Sequence, residues 1–313
     1  MATHSVLLNL VVPDDDRRAF DASFPDVEFV DDDGGDLGAV DVLYAGDPVT
    51  DELINRMPKL TWLHTTSGGG GRYLIPSVIE RSITVTTSTG IHGRSFAEFA
   101  IACMYGLAKR LPIVLDAQRR ADWQRNLVAM DRAGGKTVGI VGLGAIGSEL
   151  ARQMKALGMR VLATKRTVTD PPPYVDELGP PGDLGKLLRE CDVLFLTLPS
   201  GSDGLIGEAE LRSMKRGSYV VNLTGGRHCV DDEALAGALR DGHIAGAALN
   251  ILVSSPLEPD SELWHLPNII ISPGLAGDDP DKWKMQRDIF VDNLGRFLRG
   301  EELRNVVDRT QGY

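Results

Sequence analysis

The chain has 313 residues, of which 42% are hydrophobic and 25% are charged, and its formal net charge is −11. This length is enough for two domains with hydrophobic cores of their own. The acidic balance argues against nucleic acid and anionic membranes as partners, because phosphate groups are bound by basic surfaces. It does not argue against a small anionic substrate, since one local site can be positive on an acidic protein.

The cysteines and the N-terminus indicate the compartment. Cys103, Cys191 and Cys229 are far apart and form no CxxC pair. This spacing predicts neither a disulfide framework nor a metal site, and it favours a reducing environment. The N-terminus shows no basic segment followed by a long apolar stretch, so we expect no signal peptide and no membrane span. We therefore place the protein in the cytoplasm.

The first hundred residues alternate short apolar segments with helical patterns. The predicted strands are Val6–Val12, Val27–Val30, Val40–Ala45, Leu60–Thr65 and Ile83–Thr87. The helices predicted between them are Asp51–Met57, opened by a Thr50/Asp51 cap, and Pro76–Arg81. Two helices follow, from Ser95 to about Arg110 and from Pro112 to about Trp123. Alternation of this kind builds a parallel sheet covered on both faces.

The same alternation returns in the second half of the chain. The predicted strands are Thr137–Leu143, Arg160–Lys165, Val193–Leu198, Ser218–Thr224, Ala245–Leu252 and Ile269–Ser272. The predicted helices are Ala145–Leu157, Leu184–Glu190, Glu208–Met214, Asp231–Arg240 and Asp281–Leu298. The segments 171–173 and 179–182 are rich in proline and glycine, and we interpret them as turn-rich connections.

A glycine pattern follows the first strand of this second half. The strand residues Thr137 to Val141 lead into Gly142-x-Gly144-x-x-Gly147, and a helical pattern comes next. This order of strand, tight turn and helix N-terminus binds the pyrophosphate of a dinucleotide, because free N–H groups at the helix N-terminus face the anion. The sequence therefore predicts a dinucleotide-binding domain.

Four segments together resemble one protein family. They are GIHGRSFAEFAIACMYGLAKRLP (90–112), GKTVGIVGLGAIGSELARQMKALGMRV (135–161), VVNLTGGRHCVDDEAL (220–235) and SELWHLPNIIISPGLAG (261–277). They are similar to the D-isomer-specific 2-hydroxyacid dehydrogenases, in particular to the glyoxylate/hydroxypyruvate reductase branch. The resemblance implies an α/β protein of two doubly wound parallel-sheet domains. A flavodoxin-like substrate domain (1–94 and 281–313) would face a Rossmann dinucleotide-binding domain (95–280) across a cleft. It also implies a homodimer, formed largely by the 90–120 helices.

The predicted cofactor is NADP(H) rather than NAD(H). NAD-binding domains carry an Asp or Glu at the end of the second strand, where it binds the ribose 2′-OH. Here that strand ends in Thr164, Lys165 and Arg166, and these two basic residues can bind a 2′-phosphate. The alternative is that they only solvate the strand end. The predicted cofactor-binding residues are Gly142, Gly144, Ala145, Ile146, Gly147, Thr164, Lys165, Arg166, Leu198, Pro199, Thr224 and Asn250, the last standing where the family has Asp.

The resemblance also implies a catalytic Arg, Glu and His, and none of them stands at its expected position. The three positions are occupied by Gly225, Ser255 and Gly274 respectively. General acid–base catalysis contributes roughly 10²–10⁴-fold to a rate, so ordinary dehydrogenase activity is in doubt. Arg227 and His228, in the same loop as Gly225, are the candidate catalytic replacements.

Two further histidines and one loop complete the set of candidates. His64 ends a strand and is a second candidate proton donor, whereas we assign His92 a structural role. The glycine-rich loop after the same strand begins with Ser67, Gly68, Gly69 and Gly70. In the resembled family this loop holds the substrate carboxylate with backbone N–H groups, and a plain flexible loop is the alternative.

The sequence leaves three functional hypotheses open. The first is an NADP(H)-dependent oxidoreductase acting on a small 2-oxo or 2-hydroxy acid, or a related acid, with altered catalytic residues. The second is a catalytically inactive NADP(H)-binding sensor or partner protein. The third is an ordinary reductase in which Arg227 and His228 replace the missing residues.

Overall fold

The computed structural model describes residues 4–46, 49–199, 202–224, 227–250 and 256–309. The chain folds into two compact units, Met1–Ile91 with Pro280–Tyr313 (unit 1) and His92–Asp279 (unit 2). Each unit contains one all-parallel sheet with helices, which confirms the predicted fold class of two parallel-sheet α/β domains. No helix in the described ranges combines the length and apolar character needed to cross a membrane.

The bounds of the elements are as follows. The strands are β1 (His4–Asn9), β2 (Val27–Val30), β3 (Val42–Ala45), β4 (Trp62–Thr65), β5 (Thr84–Thr87), β6 (Thr137–Val141), β7 (Arg160–Thr164), β8 (Glu177–Gly179), β9 (Val193–Leu196), β10 (Ser218–Asn222), β11 (Ile244–Asn250) and β12 (Ile269–Ser272). The helices are α1 (Asp14–Ser23), α2 (Asp51–Asn55), α3 (Pro76–Glu80), α4 (Gly93–Ala108), α5 (Leu111–Arg119), α6 (Ala145–Ala156), α7 (Leu184–Glu190), α8 (Glu208–Ser213), α9 (Asp232–Arg240) and α10 (Lys282–Leu298).

The sheet of unit 1 has the strand order β2-β1-β3-β4-β5, which is the flavodoxin-like order. Its core includes the last helix of the chain: Phe290 on α10 is fully buried, and its ring stacks on that of Tyr44 with the centroids 4.0 Å apart. Trp62 lies against the same ring, with 5.9 Å between the centroids. Aromatic burial therefore attaches α10 to the sheet built by the first 91 residues.

The sheet of unit 2 has the order β12-β11-β10-β9-β6-β7-β8. This is the Rossmann order 3-2-1-4-5-6 with a seventh strand at one edge. Buried side chains of α4 and α6 cover one face of the sheet, and those of α7 and α9 cover the other. The strand order reverses between β6 and β9, and open α/β sheets bind ligands outside the carboxyl ends of the strands at such a switch point.

One helix and one strand lie outside the elements predicted from the sequence. Pro13 and the three aspartates after it follow the predicted strand Val6–Val12 and open α1, which buries Phe20. Carboxylates in a first helical turn are favourable because they complement the helix dipole. The second is β8, of only three residues; it includes Gly179, which we had placed in a connection. Such a strand is too short to show alternation.

Several strands also end earlier than predicted. β9 ends at Leu196 and β10 at Asn222, two residues before the predicted ends. The residues after these ends, Thr197–Leu198 and Leu223–Thr224, lie in the loops at the carboxyl edge of the unit 2 sheet. The N–H groups of Thr197 and Leu223 still donate to the carbonyls of Val141 and Leu196 on neighbouring strands, at 3.0 and 2.9 Å, so the predicted strands exceed the observed ones only slightly.

Candidate functional site

The turn between β6 and α6 is shaped by the first glycine of the motif. Gly142 has φ of +99°, a backbone conformation that side-chain-bearing residues rarely adopt. A Cβ atom at Gly142 would also lie 3.0 Å from the carbonyl oxygen of Thr197. The Thr197 hydroxyl in turn donates a 2.6 Å hydrogen bond to the carbonyl of Gly142. The turn is thus held against the end of β9.

The other two glycines of the motif serve different purposes. A Cβ at Gly147 would lie 2.1 Å from the Gly142 carbonyl oxygen, so α6 can approach the strand this closely only without a side chain. A Cβ at Gly144 would meet no atom within 4 Å. Gly144 therefore faces open space directly before α6, which begins with Ala145 and Ile146 and offers the free N–H groups of a helix N-terminus.

The predicted ribose-binding residues lie at the end of β7. Thr164 is its last residue and is buried, Lys165 is half-buried and Arg166 is exposed. The Lys165 N–H donates to the carbonyl of Gly179, which joins this strand end to β8. Sequence reasoning missed Asp183, whose carboxylate lies over Gly179, where a Cβ would be 2.3 Å from Oδ2. Basic and acidic groups therefore both stand near this strand end.

The remaining predicted cofactor residues lie at the same edge of the sheet. Leu198 and Pro199 follow β9. After β10, the N–H and hydroxyl of Thr224 both donate to Asn222 Oδ1, at 3.0 and 2.7 Å. Asn250 ends β11, and its Oδ1 accepts the N–H of Ala276 at 3.2 Å. The structure therefore brings the ends of β6, β7, β9, β10 and β11 to one edge of unit 2.

The position of the implied catalytic histidine has a distinctive backbone. Gly274 has φ of +80° and ψ of +17°, in the left-handed region, and precedes a short 3-10 helix, Leu275–Gly277. The Leu275 N–H donates to Ser272 Oγ at 3.3 Å, which helps to fix the turn. A side chain at Gly274 would be strained, so the backbone at this position suits glycine.

The other catalytic candidates are not assembled into a site by the described residues. Gly225 and Ser255 lie outside the described residues, as does the side chain of Arg227. The backbone of Arg227 opens the 3-10 helix Arg227–Cys229, in which His228 is exposed and its carbonyl accepts the N–H of Gly204 at 2.8 Å. Burial raises the pKa of the neighbouring Cys229 thiol to about 11, which excludes it as a thiolate near neutral pH.

In unit 1, the residues predicted to bind a carboxylate follow β4 in one loop. The Ser67 N–H donates to Thr65 Oγ1 at 3.1 Å, and the Gly69 N–H donates to Ser67 Oγ at 3.2 Å. A Cβ at Gly69 would meet nothing within 4 Å, whereas one at Gly70 would lie 2.2 Å from Val307 Cγ2. The loop, which also includes Gly68, is therefore packed at one end and open at its centre.

His64, the second candidate proton donor, lies in the core of unit 1 and not on its surface. Its side chain is fully buried among the rings of Tyr44, Trp62 and Phe290. Its Nδ1 lies 2.7 Å from the hydroxyl of Thr86. Desolvation lowers the pKa of His64 to about 3, so the imidazole is neutral at physiological pH and cannot supply a proton there.

His92, to which we assigned a structural role, is at the N-terminus of α4. Its ring lies edge-on to that of Phe96, with 5.9 Å between the centroids. A Cβ at Gly277 would lie 3.3 Å from His92 Nδ1 and 2.9 Å from Phe96 Cε2. The 3-10 helix after Gly274 therefore packs closely on this part of α4.

Comparison with known proteins agrees with this architecture. A sequence model of the D-isomer specific 2-hydroxyacid dehydrogenase NAD binding domain matches residues 101–276. A glyoxylate reductase of Korarchaeum cryptofilum is 32% identical over 84% of this chain and 80% of its own. A glycerate dehydrogenase of Methylorubrum extorquens is 28% identical over 83% of each chain. The structure of a D-isomer specific 2-hydroxyacid dehydrogenase of Xanthobacter autotrophicus, solved with NADPH and MES, matches all of both chains with a TM-score of 0.82 and 26% identity.

The glycine turn and the Rossmann strand order define unit 2 as a dinucleotide-binding domain. The chain belongs to the D-isomer-specific 2-hydroxyacid dehydrogenase family, whose members are NAD(P)-dependent oxidoreductases acting on small acids.

The open space at Gly144 leads to the first prediction. Gly144→Ala should weaken NADPH binding about tenfold or more, because its methyl group would enter the space that the pyrophosphate needs. The fold should be unaffected, since the added Cβ meets no protein atom within 4 Å. Titration calorimetry gives the dissociation constant, and thermal unfolding gives the Tm.

Gly182→Ala is the matched control, because a Cβ there also meets nothing within 4 Å. It should change neither the NADPH affinity nor the Tm. Wild-type affinity in Gly144→Ala would show that the pyrophosphate does not approach this turn.

The burial of His64 leads to a prediction about stability and pH. Its pKa, lowered to about 3 in the folded state, is near 6.5 in the unfolded chain. Between these values the unfolded state binds more protons, so acidification favours unfolding. From about pH 7 to about pH 4, the wild type should lose about 3 kcal/mol more unfolding free energy than His64→Gln.

Urea unfolding at several pH values measures this difference. His265→Gln, which removes an exposed imidazole in unit 2, is the control and should leave the wild-type pH dependence in place. Parallel pH profiles for the wild type and His64→Gln would contradict the prediction.

Proposed function

We propose that the protein is an NADP(H)-dependent oxidoreductase that acts on a small 2-oxo or 2-hydroxy acid, or a related acid, with altered catalytic residues. The observation that carries the proposal is the Gly142–Gly147 turn at the carboxyl edge of the unit 2 sheet, with open space at Gly144. In this proposal the turn holds the cofactor pyrophosphate, and the residues at the ends of β7, β9, β10 and β11 hold the rest of the cofactor.

The preference for NADP(H) rests on the residues at the end of β7. Arg166 can form charge-assisted, bidentate hydrogen bonds with a 2′-phosphate, and Lys165 adds a second positive charge. A relative from Xanthobacter autotrophicus was solved with NADPH, which supports the same cofactor for this chain.

The carboxylate of the substrate is assigned to the loop that begins at Ser67. Several backbone N–H groups presented by one short loop form a concave anion site without any cationic side chain. This suits a chain in which Gly225 replaces the arginine that the family resemblance implies for carboxylate binding.

In this proposal, the altered residues provide no proton donor at the expected position, so the proton must have another source. Reduction of a carbonyl group adds a hydride to carbon and a proton to oxygen, and Gly274 has no group that can donate one. His64 is buried and neutral at physiological pH. The proton then comes from water, from a displaced residue such as His228, or from the substrate itself, as in an iminium group that is already protonated.

A second candidate function is that of an inactive NADP(H)-binding sensor or partner protein, and the left-handed backbone at Gly274 is the observation that favours it. The two functions are separated by NADPH consumption with a panel of 2-oxo acids, including glyoxylate and hydroxypyruvate, each with and without ammonium. Turnover of any member of the panel supports the enzyme. Cofactor binding without turnover supports the sensor.

The hypothesis of a reductase with substitute catalytic residues predicts a further result in this assay. If Arg227 and His228 replace the missing side chains, Arg227→Ala must lower turnover of the 2-oxo acids. Unchanged turnover in this variant would exclude the hypothesis that Arg227 and His228 replace the missing side chains.

The cofactor preference gives a third prediction. Arg166→Ser should weaken NADPH binding about tenfold to a hundredfold, because hydrogen bonds between charged groups contribute about 1.5–3 kcal/mol each. NADH binding should be nearly unchanged, since NADH has no 2′-phosphate. Arg189→Ser, at another exposed arginine of unit 2, is the control. Equal losses for both cofactors would contradict the assignment of Arg166.

We also propose that the protein is a homodimer that buries one face of α5 and the segment after it. Four large apolar side chains are exposed in this region of a single chain: Leu111 (46%), Leu115 (47%), Trp123 (99%) and Met130 (56%). Leu111 and Leu115 are four residues apart and so lie on the same face of α5. A cluster of exposed apolar side chains is typical of a protein interface.

This proposal gives a fourth prediction. Leu115→Glu should convert the dimer to a monomer, because a carboxylate would be buried in the interface without a partner. Light scattering coupled to gel filtration measures the mass. Leu157→Glu is the control, since Leu157 is similarly exposed (40%) but lies at the end of α6. A monomeric wild type would refute the dimer.

A further inference from the structure

Hydrogen bonds from the rest of unit 1 hold the backbone carbonyl groups at the start of the loop that begins at Ser67. The carbonyl of Thr65 accepts the N–H and the hydroxyl of Ser88, each at 3.1 Å. The carbonyl of Thr66 accepts Gln286 Nε2 at 2.9 Å. The carbonyl of Ser67 also accepts the Ser88 N–H, at 2.9 Å, and that of Gly68 accepts the Thr89 hydroxyl at 2.8 Å. Four consecutive carbonyls are thus held by the body of unit 1.

This arrangement determines where the N–H groups of the loop point. In a trans peptide the C=O and the following N–H point in opposite directions. The N–H groups of Gly68 and Gly69 belong to the peptides whose carbonyls, on Ser67 and Gly68, are held by Ser88 and Thr89. They are therefore directed away from the end of β5, toward the side on which the Ser67 hydroxyl contacts the Gly69 N–H.

A buried chain of hydrogen bonds orients Ser88 itself. Trp62 Nε1 donates to the Thr86 hydroxyl at 2.8 Å, and this hydroxyl lies 2.7 Å from His64 Nδ1. His64 Nε2 lies 3.4 Å from Ser88 Oγ, a long contact. All four side chains are fully buried.

The direction of this chain follows from the number of protons. The single proton of the Ser88 hydroxyl goes to the Thr65 carbonyl, which can only accept, so Ser88 Oγ can only accept from His64 Nε2. The neutral imidazole then carries its proton on Nε2, and its Nδ1 accepts the Thr86 hydroxyl. Each side chain from Trp62 to Ser88 therefore donates its hydrogen bond in one defined direction.

We infer that His64, Ser88 and Gln286 are positioning residues that hold the Ser67–Gly71 loop in the orientation that binds a substrate carboxylate. The inference rests on the proposed function of this loop. None of the three acts on the reacting atoms: His64 fixes the Ser88 hydroxyl, Ser88 holds the carbonyls of Thr65 and Ser67, and Gln286 holds the carbonyl of Thr66, directly before the loop. A neutral, buried histidine is suited to this role because it provides one donor and one acceptor in a rigid ring.

The test measures binding of oxamate, a 2-oxo acid analogue that is not reduced, to the full-length protein saturated with NADPH. Ser88→Ala should raise the oxamate Kd about tenfold, because it removes the hydroxyl that links His64 to the Thr65 carbonyl. Gln286→Met removes the donor to the Thr66 carbonyl from a different element and should have a similar effect. Ser88→Thr retains the hydroxyl and should restore most of the affinity.

Tyr44→Phe is the matched control. Tyr44 is buried in the same ring cluster, 5.4 Å from His64 between ring centroids, and its hydroxyl has no hydrogen-bond partner in the described residues. This variant should bind oxamate like the wild type. The Kd for NADPH should be unchanged in all four variants, since the loop belongs to unit 1.

The outcomes separate the inference from the function on which it rests. If the wild type with NADPH binds no oxamate, the carboxylate role of the loop is refuted, and the inference with it. If the wild type binds and both Ser88→Ala and Gln286→Met bind equally well, the loop is a carboxylate site but these residues do not position it. A lower Tm with unchanged oxamate affinity would assign them a structural role only.

Discussion

Parallel pairing of every strand is the constraint on which both units depend. Parallel strands all end at one edge of their sheet, so loops that are distant in sequence meet there. In unit 1 this brings the residues after β4 beside those after β5, and in unit 2 it brings Gly142 against Thr197. The groups gathered at these edges are largely backbone N–H and C=O groups, whose directions are set by the fold. Anion binding of this kind uses backbone groups at the anion itself, whereas proton transfer needs a side chain at the reacting atoms.

The backbone at Gly274 bears on the histidine that the family resemblance implies at this position. With φ of +80°, the backbone there disfavours any residue with a Cβ by roughly 1–2 kcal/mol. The turn that follows is held by hydrogen bonds from Leu275 to Ser272 and from Ala276 to Asn250. Reintroducing a histidine would therefore compete with a turn that its surroundings already stabilise. The substitution and the local structure are consistent with each other, as expected where a sequence specifies its backbone at every level.

The sequence predicted the fold well because both the hydrophobic periodicity of the elements and the turn and capping residues between them were clear. β2, β12 and α7 have the predicted bounds, and the Thr50 hydroxyl caps α2 as expected. The orientation of His64 could not be predicted, because a central parallel strand is buried on both faces and shows no alternation. Ser88 and Gln286 were missed for another reason: they reach Thr65 and Thr66, directly before the Ser67–Gly71 loop, only through tertiary structure, from about 20 and 220 residues away. No local pattern marks such residues.

Under the proposed function, the two glycine-rich elements and the glycine at position 274 together restrict the chemistry of the site. The Gly142–Gly147 turn needs glycine for its close approach to α6, and the Ser67–Gly71 loop needs it at Gly70, against Val307. Both elements therefore depend on backbone geometry and not on the side chains at positions 225, 255 and 274. By the family resemblance, a carbonyl substrate would need a proton donor at Gly274, and its absence would cost about 10²–10⁴-fold in rate. An iminium substrate would not incur this loss, since its nitrogen already carries the proton and hydride transfer alone completes the reduction. Under the proposed function, Gly274 therefore favours a substrate that hydride transfer alone can reduce.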